Sequence, residues 1–468
     1  MRKVLSILIL AALIACTENP ADPDGGITLG GTVQLEGSTQ FTDTNVYLYT
    51  LPNTDSLVYE YMENYPVLGL DADPLVTFDH RQYEPAYNTT CNEEGDYRLE
   101  EVEEGVDYVL VVAKPNFGWQ YHLLPAVAKG IEIPDLKLYP ETRVQSLSGG
   151  YQIWEKDRHY IIENSVTLPA SGVLFIDKGV TVRLEQNIVF EVNGKLECYG
   201  ESDAYIRFTA ERVQPGNYQG WQGLSLDTRE ETFLRYVFAG FARNAIKTVQ
   251  SDVDIEHLFV RYASFNGILS SNSSVLNLRH SIFTDCLELA RIDGGSETTI
   301  DKCLFVGDQN LNTETGVHIN NSKATITNTI LSRCQTGLNY EYEAVMDVNN
   351  CLMEKCDTGV YGLDSPDVKF QYNTMENLTL NMNLNGLLGH EYTFNNFLQT
   401  NSAHYLNIGG ITDTDVIFQN CYWQDCSTLN EVMRKINQRI LDLNYNENVY
   451  QIIIEPFSSS INKTGLEG

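Results

Sequence analysis

Positive charge is what this sequence lacks most. It holds 31 Lys+Arg against 63 Asp+Glu, a formal net charge of −32 over 468 residues. Phosphate backbones need a basic surface, so nucleic acid is excluded as a partner. Docking on anionic lipid through a polybasic patch is excluded with it. The acidity reads as a solvated surface. Divalent-cation binding is the other reading, and no D-x-[DN]-x-[DN]-G-x5-E loop is present to support it. No C-x-x-C pair, G-x-S-x-G elbow or H-E-x-x-H helix occurs either, so no cofactor and no metal site is expected. At 43% hydrophobic residues there is material for a large core, and the length exceeds that of one ordinary domain.

The N-terminus stands apart. Arg2 and Lys3 precede a short apolar run, Val4 to Leu13, interrupted only by Ser6. That run is too short to span a bilayer and reads as a signal peptide, residues 1–15. It closes on Leu13-Ile14-Ala15-Cys16, which resembles the lipobox of bacterial lipoproteins. The resemblance implies cleavage before Cys16 and acylation of its thiol and new amino group. A membrane is then a partner through the lipid anchor, since each buried CH2 adds roughly 0.8 kcal/mol and several chains hold stably. Thr17 after the cysteine does not suggest inner-membrane retention, so the outer membrane or cell surface is the expected place. An ordinary signal peptide with a chance cysteine is the alternative. Residues 16–26, polar with two prolines and two glycines, read as a tether.

Residues 27–140 read as a small β-sandwich. Apolar residues alternate in Thr32-Val33-Gln34-Leu35 and Asn45-Val46-Tyr47-Leu48-Tyr49. Gly95, the run to Leu99, Gly105 and Tyr108–Val112 predict a hairpin. The run resembles the carboxypeptidase regulatory-like domain, a transthyretin-like sandwich, and the resemblance implies a spacer without chemistry. Leu51 to Tyr87 is longer than that pattern and is left unplaced.

The remainder repeats. Nine segments align on Phe233, Ile255, Leu278, Ile300, Ile326, Val348, Phe370, Tyr392 and Phe418, in steps of 22, 23, 22, 26, 22, 22, 22 and 26 residues. Near-constant spacing of this kind predicts a solenoid. The anchor and the residue two before it share one inward face, as in Val253/Ile255 and Met346/Val348. The phase then slips by one, so that Cys351/Met353, Cys303/Phe305 and Thr329/Leu331 become the inward pairs. A slip requires a bend, and Asn328, Asn350 and Asn420 sit where a left-handed residue is needed. A third strand follows at Asn266-Gly267-Ile268, Thr315-Gly316-Val317, Thr336-Gly337-Leu338, Thr358-Gly359-Val360 and Asn385-Gly386-Leu387. Three strands per turn of about 22 residues predict a parallel β-helix. Residues 145–456 resemble right-handed parallel β-helix proteins of the pectate-lyase-like group, and the right hand comes from that resemblance. Gly172 to Cys198, Ile206–Thr209 and Gly220–Leu224 look like that group's first coils, and Asn420-Cys-Tyr-Trp423 like its closing signal.

Thr428-Leu-Asn-Glu431 is a capping box, and Leu429, Val432, Met433, Ile436 and Ile440 form one stripe, predicting a C-terminal capping helix over the open end of the coils. Val449 to Ile454 is expected to help cover it, and residues 457–468 form a tail. The fold class is therefore all-β: a right-handed parallel β-helix preceded by a small sandwich, with a capping helix.

Candidate chemistry is sparse. Nine cysteines remain after Cys16, an odd number that argues against a disulfide framework. Cys303, Cys351 and Cys421 share one coil position, and Cys286, Cys334, Cys356 and Cys426 another. Metal binding is one reading. Internal stacking is favoured, because no histidine accompanies them at ligand spacing. Asn373 and Asn395 predict an amide ladder. Arg235, His257, His280 and Lys302 fall at the bend of four successive coils. At about 4.8 Å per coil they would make a basic stripe of roughly 15 Å, a candidate glycan-binding site and source of a lyase base. Bend residues facing water with no role are the plainer reading. No catalytic residue is assigned. The expected function is a non-catalytic, rigid surface scaffold or adhesin-like protein contacting polysaccharide. The alternative is a surface polysaccharide lyase or glycoside hydrolase. Nothing in the pattern specifies an oligomeric state.

Overall fold

The computed structural model describes residues 26–53, 56–213, 220–307, 313–398, 405–409, 416–434, 436–439, 452–454, 457–458, 460–462 and 466. The signal peptide, Cys16, the tether up to residue 25, Ile440 and Val449 lie outside the described residues. The chain divides into two units.

The first unit comprises the chain up to Leu51, Pro85–Val112 and Gln120–Lys137. Two small sheets build it. One orders Asp96–Val102, Ile27–Leu35 and Leu136–Leu138; the other orders Tyr87–Thr90, Asn45–Thr50, Tyr108–Ala113 and Gln120–Leu124. The predicted hairpin through Gly105 is therefore absent: its two strands belong to different sheets. Tyr108 to Val112 are all buried, so that strand needs hydrogen-bonded neighbours on both edges. Asn45–Thr50 and Gln120–Leu124 supply them.

The second unit comprises Pro52–Glu84, Ala113–Trp119 and the chain from Leu138 onward. Its body is a parallel β-solenoid of about 12 turns. Ile300, Ile326, Val348 and Phe370 pair in direct register on successive turns, each at most 1% exposed. One register differs from expectation. Leu234, not Phe233, pairs with Ile255, so the first step is one residue shorter and Phe233 points outward. Thr358-Gly359-Val360 likewise stacks on Leu380-Asn381-Met382. Asn385–Gly386 lies further on, at a bend where Gly386 takes φ +90°.

Stacking explains the phase slip. Asn328, Asn350 and Asn420 hold φ of 49°, 59° and 55°, in the left-handed region. Each such bend turns the next N–H out of the strand ladder, and the side chain one coil on accepts it. Leu258 N donates to Ser281 Oγ (3.1 Å), Cys303 N to Thr329 Oγ1 (3.3 Å), Cys351 N to Asn373 Oδ1 (2.8 Å) and Asn373 N to Asn395 Oδ1 (3.0 Å). A buried backbone donor is thereby satisfied on each of these turns. The amide ladder is present, with Asn373 Nδ2 donating to Asn395 Oδ1 at 3.0 Å.

The segment left unplaced by sequence belongs to this unit. Helix Ser56–Asn64 and the turns Pro66–Leu68 and His80–Gln82 lie against the second of the three outer faces. That face presents Phe238, Phe259, Ile282, Leu304, Ile330 and Leu352, all buried under Val58, Tyr61, Leu68, Ala72 and Val76. Tyr61 Oη bonds Ser332 Oγ (2.6 Å) and donates to Glu354. Further along, Trp119 lies between the Arg81 and Arg183 guanidinium groups at 4.9 and 4.6 Å, with His80 and His159 edge-on.

At the C-terminus the capping box forms: Glu431 N donates to Thr428 Oγ1 (3.3 Å) and Thr428 N to Glu431 Oε2 (3.0 Å). The helix is shorter than expected, Leu429–Arg434. Ile436 leaves it for the strand Ile436–Arg439, which pairs with Leu406–Gly409. Ile452–Ile454 then pairs with Val416–Phe418. The unpaired edge of the last coil offers more hydrogen bonds to an added strand than a helix could satisfy, so the chain winds on.

Candidate functional site

The solenoid presents three outer faces, and helix Ser56–Asn64 with its neighbours covers the second. On the first face, Glu297, Thr299, Lys323, Thr325, Asp347 and Lys369 line a shallow groove. Charges of both signs alternate with hydroxyls there.

The predicted basic stripe is only partly assembled. His257, His280 and Lys302 occupy the left-handed bend, with φ of 54°, 48° and 54°. Arg235 does not. The register places it beside Glu256, with Nε 3.5 Å from that carboxylate, and Tyr236 takes the bend at φ 47°. Tyr236 stacks on His257 at 4.3 Å, and His257 on His280 at 5.3 Å. His280 Nδ1 meets the Leu68 carbonyl at 2.6 Å. Burial lowers the His257 pKa, and the His280 charge lowers it further.

The third face carries a cluster that sequence reasoning missed. Arg291 and Asp293 point outward from Glu288–Asp293, while Ala290 and Ile292 enter the core. Arg291, His318 and Asn339 stack in register on successive turns, and Asp293, Asn320 and Glu341 do the same beside them. His318 Nδ1 lies 3.4 Å from Glu288 Oε1 and 3.3 Å from Arg291 Nη1; its Nε2 faces Glu341 Oε2 at 3.8 Å. Arg291 also donates through Nε to Asp293 (2.7 Å) and through Nη1 to Glu288 (3.3 Å). Burial pushes the Glu288 carboxyl up, but the His318 hydrogen bond and the Arg291 charge outweigh it and hold the pKa below the usual carboxylate range. His318 is 7% exposed, and its Nε2 has no hydrogen-bond partner among the described residues. Asp293 Oδ1 and Asn339 Oδ1 are buried and unpartnered too.

With both faces defined, the comparisons place the fold. Residues 266–421, a third of the chain, match the protein-family model described as the right handed beta helix region. The solenoid is a right-handed β-helix. The A-module of the mannuronan C-5 epimerase AlgE6 of Azotobacter vinelandii aligns with this chain at 11% identity and a TM-score of 0.33, covering 67% of this chain and 91% of that one. A likeness that slight says nothing of function. No curated protein matches the sequence.

Within the β-helix the cysteines stack inside. Seven of the nine outside the N-terminal segment are buried, and none is in a disulfide. Burial pushes the Cys303, Cys351 and Cys421 thiols up to about 12, which makes them poor nucleophiles and ligands. Among the described residues no group of three His, Cys, Asp or Glu is spaced to hold a metal ion, and no helix is long and apolar enough to cross a membrane.

The missed cluster did leave a trace. Thr315-Gly-Val-His-Ile-Asn320 alternates, and Val317 and Ile319 inward put His318 outward. Its partners, however, lie 27 and 30 residues upstream, across one of the two longer coils, and the shared site shows only when coils are stacked.

Proposed function

We propose that this chain is an envelope lipoprotein, anchored through Cys16, whose β-helix contacts glycan at the cell surface through its third outer face. The first unit acts as a carboxypeptidase regulatory-like spacer module. The observation that carries the glycan reading is His318: a buried imidazole on an outer face, flanked by Glu288, Arg291 and Glu341, with its Nε2 unpartnered. Leaving a buried polar atom unsatisfied costs about 1–3 kcal/mol, so its retention calls for a ligand group. Sugar hydroxyls, which both donate and accept, suit such a site. The bend residues His257, His280 and Lys302 lie on another side of the coil and contribute a second, weaker contact in this reading.

A second reading rests on the same imidazole. A carboxylate on Nδ1 orients the ring and leaves Nε2 free to take a proton, the arrangement of a general base, with Arg291 beside it. This reading makes the protein a surface polysaccharide lyase or glycoside hydrolase.

Both are tested together. Binding to a glycan panel is measured by calorimetry, then unsaturated products and new reducing ends are assayed. Binding without turnover, lost in His318→Ala, supports the scaffold. Turnover lost in the same variant supports the enzyme. Absence of both binding and turnover refutes the assignment. The anchor is tested by labelled-palmitate incorporation, which Cys16→Ala should abolish together with membrane partitioning.

A further inference from the structure

The third-face cluster is short of donors. Glu288, Asp293 and Glu341 supply three carboxylates against the single guanidinium of Arg291. Arg291 already directs Nε at Asp293 and Nη1 at Glu288. Asn339 Nδ2 is turned toward Glu341 Oε1 at 3.4 Å, which leaves its buried carbonyl Oδ1 unpartnered. When His318 donates through Nδ1 to Glu288, its Nε2 is a lone pair 3.8 Å from a carboxylate oxygen. The buried atoms left unpartnered are then acceptors: His318 Nε2, Asp293 Oδ1 and Asn339 Oδ1, with the Glu341 carboxylate beside them. Facing acceptors at that spacing repel unless a donor sits between them. The missing donor is not a metal ion held by the described residues, because no three of these ligands are suitably spaced.

We propose that this cluster binds an amino sugar, with the sugar ammonium placed between His318 Nε2 and Glu341 and donating also toward Asp293. The proposal rests on the glycan-contact reading and names its ligand class. An ammonium offers three donors and one positive charge at a single point, whereas a hydroxyl offers one donor. Hydrogen bonds with an ionised partner are roughly twice as strong as neutral ones. A uronate would bring a carboxylate to a site already in excess of carboxylates, on a chain of net charge −32, and would be repelled on approach.

The test is calorimetry on the exported chain with three matched oligosaccharides: β-1,4-glucosamine, its N-acetylated form and galacturonate. The glucosamine oligomer should bind at least about tenfold tighter than either of the others. Asp293→Asn and Glu341→Gln should each remove most of that preference while the far-ultraviolet spectrum and Tm stay unchanged. Asp252→Asn, which neutralises an exposed carboxylate elsewhere on the β-helix, should not. An equal loss in Asp252→Asn would assign the preference to overall charge and overturn the proposal. Equal or tighter binding of the N-acetylated or galacturonate oligomer would overturn the amino-sugar assignment and leave glycan contact standing. No binding of any of the three would overturn both. Independently, a nitrogen-15 spectrum showing a proton on His318 Nε2 in the free protein, whether the ring is neutral with Nδ1 accepting from Arg291 or doubly protonated, would overturn it, since Nε2 would then itself donate toward Glu341.

Discussion

Replacing Asn373 by alanine removes three hydrogen bonds from the interior of the β-helix at once. Its Oδ1 accepts from Cys351 N (2.8 Å), and its Nδ2 donates to Val348 O (2.9 Å) and Asn395 Oδ1 (3.0 Å). Of the groups left behind, the Cys351 N–H matters most. It follows a left-handed residue, Asn350, and has no strand partner to fall back on. An orphaned buried donor costs about 1–3 kcal/mol, and each of the two remaining lost bonds about 1 kcal/mol, so the expected loss is about 3–5 kcal/mol. Asn373→Thr is the control, because a hydroxyl already does this work at Thr329. There Oγ1 accepts from Cys303 N (3.3 Å) and donates to Thr327 O (2.8 Å), so the threonine variant should lose less than half as much. Solenoids open locally, so the sharpest assay is hydrogen exchange at the Cys351 amide. Its protection should fall by more than about a hundredfold in Asn373→Ala and far less in Asn373→Thr. Unchanged protection in the alanine variant, or equal loss in both, would refute the view that this side chain completes the backbone ladder.

Three further outcomes are expected. Burial pushes the His80 and His390 pKa values down to about 4, so the folded chain resists protons that the unfolded chain accepts. Stability should therefore be full above the unfolded value near 6.5 and fall as pH drops toward 4, by up to about 3 kcal/mol for each histidine; a Tm-against-pH slope that glutamine at both positions leaves unaltered would contradict this. Gly362→Ala would put a Cβ 2.3 Å from both Cζ and Oη of Tyr340, an overpacking cost of about 2 kcal/mol. Denaturant midpoints should show that Tyr340→Leu relieves most of it in the double variant, and additive losses would argue against the clash. Alkylation of the native protein should modify Cys91 and Cys426, the two half-exposed thiols, while the seven buried ones react only in denaturant; mass mapping that finds Cys303 or Cys351 modified in the native state would count against it.

The coil-by-coil stacking was legible because it is a local, periodic property. Ile300, Ile326, Val348 and Phe370 recur at fixed spacing since each must fill the same layer of one interior column. Asn350 marks the bend for a backbone reason, the low cost of a left-handed conformation at asparagine. Neither needs knowledge of the rest of the molecule. The register slip at Leu234 was missed because Phe233 and Leu234 are both apolar, and only pairing with Ile255 decides which one faces inward.

Tertiary structure alone decided three things. Residues 52–84 carry no repeat, and their place is set by what they cover: Ile282, Leu304, Ile330 and Leu352 form an outward apolar column that needs a lid. Ile436 fits a helical stripe in sequence, but the open edge beside Leu406–Gly409 draws its segment into a strand. The His318 site joins residues from three turns, each an ordinary outward polar residue when read alone. Sequence by itself determines what repeats, because every coil meets the same interior. It leaves open what is unique, because a lid, an edge or a site depends on which side chains the stacked coils bring within 4 Å of one another.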